Sequence, residues 1–147
     1  MMTKIFDKIL IATDGSDNSK AAVEKGLMIA RQCESAVYVV YVIDMSTFSP
    51  ASIVTPAGGD IVHLMETGGE KAVEHVKKIA NDLNVKTFVI SGNPAHEITE
   101  FAVKNKVDLI VIGTHGTGGI ERMLLGSVAD KVIRTANQPV LVVRSWL

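Results

Sequence analysis

"VDLIVIGTHGTGGIERMLLGS" (Val107–Ser127) joins an aliphatic run to a glycine-rich turn. Five glycines fall in the fifteen residues from Gly113 to Ser127. An amphipathic pattern then begins, with Val128, Val132 and Ile133 expected inward. An aliphatic run, a glycine turn and a helical period describe a strand handing over to a helix at the carboxyl edge of a sheet. Each fixed glycine costs backbone entropy, so such a loop raises the question of what it is ordered around.

The same alternation extends in both directions along the chain. "KILIATD" (Lys8–Asp14), "SAVYVVYVID" (Ser35–Asp44), "VKTFVISG" (Val85–Gly92), "DLIVIGT" (Asp108–Thr114) and "PVLVVRS" (Pro139–Ser145) read as five strands. Their near-continuous Val, Ile and Leu content suits a parallel sheet covered on both faces. Helices fit between them. The first is expected after "DGSDNS", with Ser16 or Asp17 as cap and Val23, Leu27 and Ala30 inward. The second runs from Asp60 or Glu70 to Leu83, its start obscured by Gly68 and Gly69. The third has Asn93 as cap and Pro94 at its first position, and the fourth starts at Ser127. This order is that of a single-domain, doubly wound α/β sheet over 1–147. Asp44–Asp60 is long for a loop and reads equally as a flap over a site or as a surface insertion.

Composition narrows the function classes. The formal net charge is −1, which gives no electrostatic footprint for nucleic acid or an anionic membrane. No apolar run reaches the roughly 20 residues of a membrane span. The start "MMTKIFDKILIATDGS" lacks a small-residue cleavage site, so no signal peptide is expected. The single Cys33 cannot form an internal disulfide and fits a reducing, cytoplasmic setting. His63, His75 and His96 show no metal-ligand spacing.

Gly113 closes a strand and Gly126 and Ser127 open a helix, so the loop lies where open α/β sheets bind ligands. The first N–H groups of that helix have no helical partner and carry partial positive charge, which suits an anion. No Gly-Lys-Ser or Gly-Lys-Thr occurs, which excludes a Walker loop. The Gly-x-Gly-x-x-Gly fingerprint is also missing after the first strand, where "ATDGSDNS" stands. Glycines that only build a turn and a cap would look much the same. A β-branched side chain at Gly126 is expected to block phosphate while sparing the fold.

The spacing Gly113, two residues, Gly116, nine residues, Gly126, Ser127 resembles the nucleotide motif of the universal stress protein family, in its ATP-binding branch. The resemblance covers essentially the whole chain, from "KILIATDGSDNSKAAVEKGLMIA" to "LGSVADKVIRTANQPVLVV". It implies a Rossmann-like sheet of the adenine nucleotide alpha hydrolase type, in strand order 3-2-1-4-5. ATP would sit between the ends of the first and fourth strands, with Asp14 opposite Gly113. It also implies a homodimer formed through the last strand, where Val140, Val142, Val143 and Trp146 offer apolar surface.

The resemblance implies a ribose contact for Asp14, whose other reading is a turn that caps the following helix. It implies a backbone contact to adenine at Val42, which otherwise is strand core. Ala12 and Thr13 would line the same wall, though the family often has proline where Ala12 stands. Gly113, Thr114, Gly116, Gly126, Ser127 and Val128 belong to the motif. His115 could touch phosphate, act as a base or sit on an exposed turn. Arg122 could offset phosphate charge or be a solvated cation. Mg²⁺ would bridge phosphates, since few cations are available to offset their charge. Hydrolysis needs a base that orients water, and only His115 offers one, with no evident partner. The expectation is therefore an ATP-binding, nucleotide-dependent stress-response or signalling module. A slow ATPase or nucleotide-transfer enzyme is the alternative. A phospho-receiver module is rejected, because the third strand ends in "SGNP" without an acceptor aspartate.

Overall fold

In the computed structural model, which describes residues 3–47, 56–115 and 125–145, the aliphatic runs form five strands. They are β1 (Lys8–Ala12), β2 (Ala36–Asp44), β3 (Val85–Gly92), β4 (Leu109–Gly113) and β5 (Val140–Val143). The helices are α1 (Asp17–Cys33), α2 (Pro56–Ile79), α3 (Pro94–Lys104) and α4 (Ser127–Thr135). All strand pairs are parallel, in the order β3-β2-β1-β4-β5. The expected sheet and its order are thus observed. The order reverses between β1 and β4, whose register runs from Ile9↔Leu109 to Ile11↔Val111.

Alternation along β1 distributes the core. Ile9 and Ile11 face α1 and α2, with Ala22, Val23, Leu27, Val73 and Val76. Leu10 and Ala12 face α3 and α4, with Ile98, Ala102, Ala129 and Val132. Ile9, Leu10 and Ile11 are wholly excluded from solvent, and each such side chain contributes roughly 1.5–3 kcal/mol of transfer free energy. Tyr38, Phe88 and Phe101 add a triangle of tilted and edge-on rings, with centroids 4.9 to 6.0 Å apart. It seats α3 on the edge strand β3 and its neighbour β2. Asn93 caps α3 as expected, its side chain accepting from the His96 amide at 3.1 Å.

Three expectations need correction. α2 begins at Pro56 and passes unbroken through Gly68 and Gly69, so the presumed 44–60 loop is helical from Pro56 onward. Gly69 is no helix breaker. A Cβ there would lie 2.8 Å from Tyr41 Cδ1 and 3.0 Å from Val89 Cγ1, so its absence lets α2 lie close against β2 and β3. Ile133 is exposed; the inward face of α4 is made by Ala129 and Val132, with Val128 partly buried beside them. Among the described residues, no helix is long and apolar enough to cross a membrane.

Candidate nucleotide site at the β1 and β4 edge

The turn after β1 is built by its own side chains. The Thr13 amide donates to the Val40 carbonyl at 3.0 Å, which extends the β1–β2 ladder. Thr13 Oγ1 accepts from the Gly15 amide at 3.1 Å and lies 3.0 Å from Ser19 Oγ. Ser19 Oγ donates in turn to the Ser16 carbonyl at 2.9 Å. Thr13 is buried, and its hydroxyl points toward α1, away from Ala12. Amide and hydroxyl of Thr13 thus both serve the turn, while the Ala12 side chain faces α3 and α4.

Asp14 follows on the rim. Its Oδ1 accepts from the Ser16 amide at 3.0 Å and from the Ser16 hydroxyl. This is an Asx turn, one of the two readings open for Asp14. Burial and, second to it, the Asp14 charge hold the Tyr41 phenol above the ordinary tyrosine range. Asp14 and Tyr41 also border an open cleft of about 620 Å³ between α1 and α2, together with Lys20, Lys71 and His75.

Across the reversal point, the β1–β4 register carried two residues past Ile11↔Val111 sets Thr13 level with Gly113. Asp14 thus falls level with Thr114, one residue beyond the expected match. The Thr114 amide donates to the Val143 carbonyl at 3.2 Å, and its carbonyl accepts from the Gly126 amide at 2.6 Å. Thr114 Oγ1 lies 3.1 Å from His115 Nδ1. This hydroxyl is the neighbour for His115 that sequence reasoning missed. Its only signal was adjacency in the chain.

Gly126 is the N-cap of α4 and, as a glycine, brings no side chain to cap it; among the described residues none takes that role. A Cβ at Gly126 would lie 2.8 Å from the Thr114 carbonyl oxygen, and one at Gly113 would lie 3.0 Å from the Asn18 carbonyl oxygen. Both glycines therefore have a packing reason of their own. Ala12, Val42 and Val128 belong to one apolar cluster with Ile112, Leu125 and Ala129. The fold thus gathers Ala12, Val42 and Val128 on the α3 and α4 side of the edge. The Thr13 hydroxyl lies on the opposite side. Gly116 and Arg122 fall outside the described residues. Among the described residues, no three His, Cys, Asp or Glu side chains converge on a metal position.

A parallel sheet with helices on both faces and a glycine N-cap opening the helix beside its reversal point defines a doubly wound α/β protein, a class in which ligands bind at the strand ends. The chain belongs to the Universal stress protein family, whose profile matches residues 5–144. It is 46% identical over 145 residues to Universal stress protein MJ0531 of Methanocaldococcus jannaschii, covering 95% of this chain and 83% of that one. The solved structure of hypothetical protein MJ0577 superposes with a TM-score of 0.86 at 29% identity, covering 97% and 99% of the two chains. A universal stress protein solved in complex with cAMP has a TM-score of 0.68 at 25% identity, covering 96% and 98%.

Proposed function

We propose that this chain binds an adenine nucleotide, ATP in the first instance, in the crevice between the ends of β1 and β4. The carrying observation is the uncapped start of α4 beside Thr114. Among the described residues its leading amides have no side-chain acceptor, and a phosphate would supply one. The Gly113–Gly116–Gly126–Ser127 spacing supports the same position, and the cAMP-bound relative supports an adenine ligand. The cleft between α1 and α2 lies on the other face from α4, and so lacks those amides.

In this reading Val42 meets adenine through its backbone, and Ala12 and Val128 form the apolar wall beside it. Asp14 takes the ribose hydroxyls. Gly113, Thr114, His115, Gly116, Gly126 and Ser127 surround the phosphates, and Arg122 offsets their charge. Mg²⁺ is held by the phosphates rather than by a cluster of protein ligands. The output is a nucleotide-dependent stress-response or signalling role, carried by one cytoplasmic domain that pairs with a second copy through β5.

A second reading, slow hydrolysis or nucleotide transfer, is favoured by the Thr114 hydroxyl beside His115 Nδ1. A neutral hydroxyl stabilises an imidazolium less than a carboxylate would, so binding remains the stronger reading. Native mass spectrometry of the purified protein tests both: a bound mass of ATP supports the site, and ADP formed over time supports turnover. A protein that carries no nucleotide and binds none when titrated with Mg²⁺–ATP overturns the proposal.

A further inference from the structure

Ser16 occupies the N-cap position of α1 with extended backbone angles, φ −78° and ψ 163°. A serine there ordinarily accepts from an amide in the first helical turn, a bond that stabilises a helix. Here the hydroxyl makes no such bond. It donates instead to Asp14 Oδ1, joining the Ser16 amide on the same oxygen. Among the described residues, no donor reaches Asp14 Oδ2.

The geometry points to Ser16 as a positioning residue for Asp14. Two donors on one oxygen fix the carboxylate plane, and the second oxygen is left to accept from a ligand hydroxyl. A carboxylate fixed before binding loses less rotamer entropy when the hydroxyl arrives. An unheld carboxylate would rotate, and discrimination would fall with it. Ser16 touches no ligand in this account; it acts through Asp14. The inference rests on the proposed ribose role of Asp14 and adds the residue that sets its selectivity.

The test compares ATP and dATP affinities, by calorimetry, for wild type, Ser16→Ala and Ser16→Thr. Wild type is expected to favour ATP. Ser16→Ala should weaken ATP binding about fivefold, the worth of one hydrogen bond, while dATP affinity stays unchanged. Ser16→Thr, which keeps the hydroxyl, should restore the preference. Circular dichroism checks that α1 persists in Ser16→Ala, as expected for a hydroxyl that caps nothing. If wild type discriminates and Ser16→Ala keeps the full ratio, the positioning role is overturned while the ribose reading stands. The same holds if the variant loses ATP and dATP affinity equally. If wild type binds both nucleotides equally, the ribose reading fails, and the inference fails with it.

Discussion

The Gly126 amide donates to the Thr114 carbonyl at 2.6 Å. This bond ties the end of β4 to the start of α4 and brings both ends of the glycine-rich segment together. A Cβ at position 126 would meet that same carbonyl oxygen at 2.8 Å and His115 Cα at 3.3 Å. Neither neighbour is a flexible side-chain end, so the backbone must shift. This corrects the expectation that Gly126→Val spares the fold.

Gly126→Ala is therefore expected to lower stability as well as nucleotide affinity. Overpacking of this kind costs typically ~1–3 kcal/mol. Thermal unfolding without ligand should show a lower Tm, and calorimetry on the folded variant should show weaker ATP binding. An unchanged Tm would mean that a Cβ at position 126 is accommodated without cost beside the Thr114 carbonyl.

Gly68 and Gly69 should respond in opposite directions. Nothing lies within 4 Å of a Cβ built on Gly68, whereas one on Gly69 strikes Tyr41. Gly68→Ala gains about 0.5–1 kcal/mol from helix propensity and reduced unfolded-state entropy. Gly69→Ala has the same gain, offset by a steric cost of ~1–3 kcal/mol. Urea unfolding of the two variants should give midpoints on opposite sides of wild type. Equal midpoints would place α2 farther from β2 than the structure does.

The sheet was legible in the sequence because Val and Ile runs such as "LIVIG" have few alternatives to a buried parallel strand. The Asn93 cap with Pro94 behind it was legible for a local reason, since an N-cap is made within one turn. The α2 start was not legible. Gly68 and Gly69 look like a helix stop, and what requires Gly69 is Tyr41, which belongs to another element. The Thr13–Ser19 contact was equally hidden, because it depends on which face of β1 the hydroxyl takes. The sequence identified Asp14 as important but could not show that Ser16 holds one of its oxygens.

Tyr41 offers a pH measurement. Its phenol is raised first by burial and second by the Asp14 charge. A raised folded-state pKa means that the folded state holds the proton more tightly. The associated stability is fully present below the unfolded phenol pKa of about 10 and is lost as pH rises through the folded midpoint. In a Tyr38→Phe background, tyrosinate absorbance should report a midpoint above that of free tyrosine. Asp14→Asn should bring it part of the way down, because burial remains. A midpoint that ignores Asp14→Asn would remove the electrostatic link between the two residues.

The β5 edge allows a test that separates pairing from folding. The Ile110 amide donates to the Pro139 carbonyl and the Thr114 amide to the Val143 carbonyl. Odd-numbered residues of β5 thus turn their backbone groups toward β4. In an extended strand the N–H and C=O of one residue point to the same side, so Val140 and Val142 present theirs to the open edge. Val142→Pro removes an outward donor without taking a bond from the β4–β5 ladder. In a twofold contact each copy carries the change, so the loss counts twice. The dimer dissociation constant should rise about tenfold or more while circular dichroism stays that of a folded chain. Sedimentation over a concentration series reads this directly. A wild-type chain that is monomeric at micromolar concentration rules out pairing through β5, and a Val142→Pro dimer as tight as wild type moves the contact to another surface.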